Sequence, residues 1–254
     1  MNTIRSIFFV IWLYGGMAVV AISCLPTLLL PRRIAMTAIR YYAQYIRVGL
    51  RLICGIRVEL RGREHIQPGA ALIAGKHQSM LDIFIPFILF SDPAIILKRE
   101  LLWYPGLGWY ALKAKMIPID RAGTTRTLKK MMREAKARRD KDRQIVIYPE
   151  GTRQPAGATL DYKSAGITAL YSQLGVPVVP LATNSGLCWK PRGMVRRSGL
   201  VVYEVLPPVP AGLGRKDMFA RMKDELEAAS DRLLDEGLAA QRRTRADLKP
   251  SDPV

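Results

Sequence analysis

The sequence predicts an α/β fold: a mixed, largely parallel sheet flanked by helices, preceded by an N-terminal helical segment suited to a membrane. Two observations carry this. Between residues 56 and 206, short β-type runs alternate with helical patterns, and strands alternating with helices pack as parallel or mixed sheets covered by helices. Ahead of them, residues 7–30 are almost uninterrupted apolar residues, and at 1.5 Å per residue such a run reaches across a hydrocarbon core of about 30 Å. The 254 residues suffice for one full hydrophobic core plus an appendage. The expected division is 1–55 as membrane-associating helices, 56–240 as the α/β domain and 241–254 as a loose polar tail.

Arg5 and Arg32-Arg33 flank the apolar run. Gly15-Gly16 and Pro26 weaken a helix there without forbidding it, because membrane helices tolerate such residues. A cleaved signal is the competing reading, since Ala21-Ile22-Ser23-Cys24 is faintly similar to a lipoprotein cleavage site. The apolar run continues past it, however, and no A-x-A site follows. In residues 34–53, Arg40, Arg47 and Arg51 stand seven and eleven residues apart, within roughly 20° of one line on a helix. A helix with such a basic stripe lies in a membrane interface or packs on the globular domain; periodicity leaves both open.

Residues 56–61 alternate like a half-exposed strand and 70–74 read as a buried one. Further strands are expected at 94–98, 116–120, 144–148, 176–182 and 200–206, with helices at 80–90, 125–139 and 164–174. Phe219, Met222, Leu226 and Leu233 then share one side of a final helix.

The formal net charge is +18, which points to an anionic partner: a phosphate-bearing substrate, an acidic carrier protein, a lipid surface or a nucleic acid. Residues 125–143 carry nine basic and three acidic side chains. The default for such a run is a solvated face; contact with lipid phosphates or an acidic acyl carrier is the sharper reading. Nucleic acid is not expected, since neither aromatic interleaving nor a binding module accompanies the charge. Cys24, Cys54 and Cys188 are scattered, which argues against a disulfide framework or a zinc site and for a reducing compartment.

An imidazole base must come from His65 or His77. His65 lies in a polar turn, whereas His77 follows a buried strand and emerges at its carboxyl end, where open α/β sheets hold their ligands. Asp82 follows five residues later, about 140° away on a regular helix. The two meet only if His77 sits in the loop and Asp82 in the first turn, where a carboxylate can orient the ring as a base. The competing reading is a capping box, Ser79-Met80-Leu81-Asp82 before an apolar run, with Asp82 serving the backbone. Other strand ends deliver Lys98, Arg121 and the turn Glu150-Gly151-Thr152-Arg153. Arginine offers bidentate recognition of phosphate, and several cations beside a histidine fit an anionic substrate held against a base.

His77-x-x-x-x-Asp82, Ile119-Asp120-Arg121, Pro149-Glu150-Gly151-Thr152-Arg153 and Val176-Pro177-Val178-Val179-Pro180 resemble the four ordered blocks of the glycerolipid acyltransferase family, specifically its bacterial 1-acylglycerol-3-phosphate acyltransferases. Lys98-x-Glu100-Leu101 and Pro105-Gly106-x-Gly108 are similar to its second block. Lys113-Ala114-Lys115 departs from the small residues many members carry before the Ile-Asp-Arg block, which bears on substrate preference. The resemblance implies direct acyl transfer from acyl-CoA or acyl carrier protein to lysophosphatidate, with no cofactor and no acyl-enzyme. His77 would be the base and Asp82 its orienter. Lys98, Arg121 and Arg153 would receive the phosphate, while Glu150, Gly151 and Thr152 would shape that pocket, Glu150 by fixing an arginine. The oxyanion donor is expected among backbone N–H groups after His77, and Cys188 is expected to be structural. Alternatives are another lysolipid acceptor, such as an amino-acid lipid, or a non-catalytic basic protein on anionic membranes. The charge flanking the apolar run favours an inner or plasma membrane with the active site on the cytoplasmic face.

Overall fold

The computed structural model describes residues 2–120, 125–158 and 162–248. Its centre, among the described residues, is a seven-stranded sheet in the order β1-β7-β6-β2-β5-β3-β4. The strands are β1 (Ile56–Arg61), β2 (Ala71–Gly75), β3 (Pro93–Lys98), β4 (Ile117–Ile119), β5 (Gln144–Ile147), β6 (Val178–Thr183) and β7 (Gly199–Val205). β4, β3, β5, β2 and β6 run parallel, β7 turns back against β6, and β1 runs with β7. The sheet is thus mixed and mostly parallel, as the alternating pattern predicts.

Successive residues of a strand face opposite sides, and in β2 this sorts the core into two. Ile73 points into a cluster shared with helices α1 (Asn2–Ser23), α2 (Arg32–Cys54) and α4 (Leu107–Lys113). Leu72 and Ala74 point into another, shared with α5 (Thr125–Arg139), α6 (Ser164–Leu174) and α7 (Arg215–Ala240). Sheet faces covered on both sides explain why the strands read as continuous apolar runs.

Residues 80–90 depart from the single helix expected there. A 3₁₀ turn, Leu81–Ile83, precedes the short helix α3 (Pro86–Leu89), because Pro86 has no N–H to continue a helical ladder. The segment expected as a loose tail begins with order: a 3₁₀ turn, Arg245–Asp247, is closed by a Thr244 capping box. Arg245 bonds to Asp235 of α7 (2.6 Å), and Leu248 packs on a cluster containing Leu234 and Leu238. Residues 249–254 lie outside the described part. α1 is long and apolar enough to cross a membrane, and here it lies antiparallel on α2, with Tyr42 Oη donating to the Leu13 carbonyl (2.7 Å) and Trp12 stacked on Tyr45.

Candidate active site

β2 delivers the histidine. The Lys76 N–H still bonds to Leu181 of β6 (3.0 Å), after which the chain leaves the sheet with His77 in a loop and Asp82 in the following 3₁₀ turn. His77 Nδ1 lies 3.0 Å from Asp82 Oδ2. The same oxygen accepts the N–H groups of Gln78 (2.6 Å) and Ser79 (2.7 Å). Oδ1 accepts three hydroxyls: Ser79 (3.0 Å), Ser185 (2.7 Å) and Tyr203 (2.6 Å). Burial by itself would push the Asp82 pKa up; bonds from His77, Ser185 and the Ser79 backbone outweigh it and hold the carboxyl below its usual range. An ionised carboxylate only accepts, so Nδ1 carries a proton, and in the neutral ring the lone pair stands on Nε2. One carboxylate therefore serves both readings left open by the sequence: it caps the loop backbone and orients the imidazole.

Tyr148, at the end of β5, stacks on the His77 ring with centroids 4.4 Å apart, and its hydroxyl donates to the Asp82 carbonyl (2.5 Å). A Cβ on Gly75 would come within 2.7 Å of the Tyr148 ring, so this close approach requires glycine. The next turn grips His77 from both sides of its backbone. Glu150 Oε1 accepts the His77 N–H (2.9 Å), and the Gln154 N–H donates to the His77 carbonyl (2.8 Å).

Glu150 thus holds the His77 backbone, a role the sequence did not suggest. Its side chain is buried against the His77 backbone, with no arginine among its bonded partners in the described residues. Burial pushes its pKa up to about 7, offset in part by Lys76. Gly151 adopts φ 72°, a left-handed turn that favours glycine, and it exposes Thr152 and Arg153 beside His77. Lys98 is exposed at the end of β3, 3.3 Å from Glu100. Arg121 lies outside the described residues. Since β2, β5, β3 and β4 are parallel neighbours, the segments bearing His77, Glu150–Arg153, Lys98 and Asp120 leave the sheet at one edge.

Of the N–H groups after His77 from which an oxyanion donor is expected, those of Gln78 and Ser79 are engaged by Asp82 and that of Leu81 by the Ser79 hydroxyl. Cys188 is buried, its thiol pushed up to about 12, which makes it inert as a nucleophile. Beside the dyad lies an apolar cavity of about 150 Å³ bounded by Met17 and Val20 of α1, Tyr42 of α2, Tyr110 of α4, and Met80 and Phe84 from the loop holding Asp82.

The Acyltransferase family model matches residues 57–184. The chain belongs to the acyltransferase family. It is similar to the 1-acyl-sn-glycerol-3-phosphate acyltransferase of Pseudomonas aeruginosa, 34% identical over 178 residues, which are 70% of this chain and 69% of that protein. It is also similar to the human 1-acyl-sn-glycerol-3-phosphate acyltransferase alpha, 35% identical over 67% of this chain and 62% of the human one. In fold it matches the crystal structure of the 1-acyl-sn-glycerophosphate acyltransferase of Thermotoga maritima, with a TM-score of 0.77, 21% identity, and coverage of 92% of this chain and 98% of that one.

The acyltransferase match takes in His77, Asp82 and the Glu150 turn, and stops short of Tyr203 and α7. Sequence reasoning missed Tyr203, Ser185, Tyr148 as a ring partner, and Lys76. Ser185 and Tyr203 carry no local signal, since they meet Asp82 across 103 and 121 residues. Lys76 sits beside His77 and looks like a surface charge, yet it is only 4% exposed.

Proposed function

We propose that this acyltransferase moves a fatty acyl group from an acyl thioester, on CoA or acyl carrier protein, to the sn-2 hydroxyl of 1-acylglycerol-3-phosphate, giving phosphatidate. The observation that carries the reading is the His77 ring bonded through Nδ1 to an ionised, buried Asp82. Nε2 takes the hydroxyl proton while the acceptor oxygen attacks the thioester carbonyl. The tetrahedral intermediate then collapses, the C–S bond breaks, and the leaving thiolate is protonated by the imidazolium. Asp82 keeps its charge throughout and steadies the imidazolium. Arg153 and Lys98, both exposed at the same sheet edge, suit the acceptor phosphate, together with Arg121.

The apolar cavity suits an acyl chain, because it is lined by hydrocarbon and aromatic groups and reaches Met80, two residues from Asp82. Its far wall belongs to α1, whose outer face carries exposed Ile4, Phe8, Ile11 and Val19. That face suits a lipid surface, and the net charge of +18 suits an anionic one. An inner or plasma membrane with the site on the cytoplasmic side agrees with the charge around α1.

The test is acyl transfer to lysophosphatidate by purified protein, with both donors and a phosphate-free lysolipid compared. His77→Ala is expected to abolish turnover with vesicle binding retained, and Asp82→Asn to lower kcat by roughly 10²–10⁴-fold. Full turnover in His77→Ala would sink the mechanism. Equal activity on the phosphate-free acceptor, unaffected by Arg153→Ala, would sink the acceptor assignment.

A further inference from the structure

Behind the dyad, on the side away from the cavity, lies a buried cluster of charge that the reaction itself does not use. Lys76 precedes His77 and is almost wholly inside the protein, a situation lysine tolerates only when paired. Its Nζ donates to Glu227 Oε1 of α7 (2.6 Å) and to the Tyr162 hydroxyl (3.2 Å), and lies 3.8 Å from Glu150 Oε1. The Tyr162 hydroxyl in turn donates to Glu227. One ammonium thus stands between two carboxylates, and the nearer one is on α7.

Glu150 has the weaker share. Its Oε1 holds the His77 N–H, while its Oε2 is buried with no bonded partner among the described residues. The charges that act on it are Lys76 in its favour and Asp82 and Glu227 against it; Tyr162 and the Lys223 ammonium, 5.9 Å from the Tyr162 ring, complete the surroundings on the α7 side. An N–H bonds more strongly to a carboxylate than to a carboxylic acid. How firmly the His77 peptide is held therefore depends on the charge of Glu150, and that charge depends on how Lys76 is divided.

We propose that Glu227 of α7 is a positioning residue for the base: by drawing Lys76 away from Glu150 it sets the charge on Glu150 and hence the grip on the His77 backbone. The proposal rests on His77 being the base. Glu227 lies outside the stretch matched by the family model, residues 57–184. Neutralising Glu227 leaves Lys76 to Glu150 and favours its ionised form; removing the Lys76 charge favours its protonated form. The two substitutions must act in opposite directions.

The chain's two histidines make this directly readable. Full-length protein labelled with ¹⁵N-histidine in detergent micelles gives two backbone amide signals, told apart with a His65→Gln variant, and the His77 amide reports the ionisation of the carboxylate it bonds to. Glu227→Gln is expected to lower the midpoint of the His77 amide titration by about one pH unit, and Lys76→Gln to raise it. The acidic limb of kcat should move in the same direction in each variant, and Glu227→Asp should return both towards wild type. A purely structural role for Glu227 would lower stability and kcat and leave the midpoints in place, and that result overturns the proposal. Should Lys76→Gln not fold, Glu227→Gln alone decides it, since the Glu227 side chain is 30% exposed and tolerates an isosteric amide. Shifted amide midpoints with an unmoved limb of kcat would overturn the positioning role and leave His77 as the base, whereas full turnover in His77→Ala would overturn His77 as the base and the positioning role with it.

Discussion

Six donors converge on the Asp82 carboxylate, and two of them come from far along the chain: Ser185, just past β6, and Tyr203 of β7. Tyr203→Phe removes one hydroxyl and nothing else, so the variant should lose about 1.5–3 kcal/mol, the worth of a hydrogen bond to a charged group. The loss should depend on pH in a definite sense. The folded Asp82 pKa lies below its ordinary value, so its stabilisation is present above about pH 4 and fades as pH falls through the folded value. Urea unfolding should therefore separate wild type and Tyr203→Phe most at pH 7 and less in acid; a constant gap would mean the hydroxyl does not act on the charge. Glu150 has the opposite sign, because burial raises it to about 7. Its contribution is present below about pH 4.5 and lost as pH rises through 7, so Glu150→Gln should destabilise less at pH 8 than at pH 5. His77 and Asp82 were readable as a pair from eight consecutive residues and a preceding strand. Tyr203 and Ser185 were not, since a fold must exist before residues 103 and 121 positions away become neighbours.

Among the elements, the strands were legible to within one or two residues, because double-sided burial writes a continuous apolar run. The long helix expected at 80–90 was not, because the apolar pattern ran through Pro86 and hid the break. The docking of α1 was likewise invisible, since an apolar helix reads the same whether lipid or protein covers it. Its contacts are specific: Arg196 lies against the rings of Phe9 and Trp189, 5.5 and 4.7 Å from their centroids, and its backbone N–H bonds to the Ser6 hydroxyl (2.8 Å). Close approach of α1 to α2 depends on two glycines. A Cβ on Gly16 would lie 2.3 Å from the Tyr45 ring, and one on Gly49 2.3 Å from the Trp12 ring. Both rings belong to the stacked pair that joins the helices. Gly16→Leu and Gly49→Leu are each expected to cost about 1–3 kcal/mol by overpacking and to raise proteolysis within α1 in detergent; unchanged unfolding and cleavage would mean the helix is held elsewhere.

At the scale of the molecule, many of the exposed apolar residues lie on α1, α2 and the segment around α4. Tyr110 of α4 sits under the carboxyl end of α1, with its hydroxyl 3.5 Å from the Ala21 carbonyl. A Cβ on Gly106 would come within 3.0 Å of Ala21. The segment around α4 therefore packs against the carboxyl end of α1, and it carries the exposed Trp103 (80%) and Trp109 (45%). Tryptophan favours the boundary between headgroups and acyl chains, and the cavity leading to Met80 lies between α1 and α4. A lipid surface against this side would let an acyl chain pass from bilayer to dyad without crossing water. Trp103→Ala combined with Trp109→Ala should weaken partition into anionic vesicles roughly tenfold, the effect of about 1.4 kcal/mol. Turnover on short-chain, water-soluble acceptors should be unchanged, since neither ring borders the cavity or the dyad. With a net charge of +18, binding of both proteins should fall as salt rises, and the tryptophan deficit should persist at high salt because it is apolar. A deficit that vanished in salt, or turnover lost equally on soluble acceptors, would place the membrane contact on a different face.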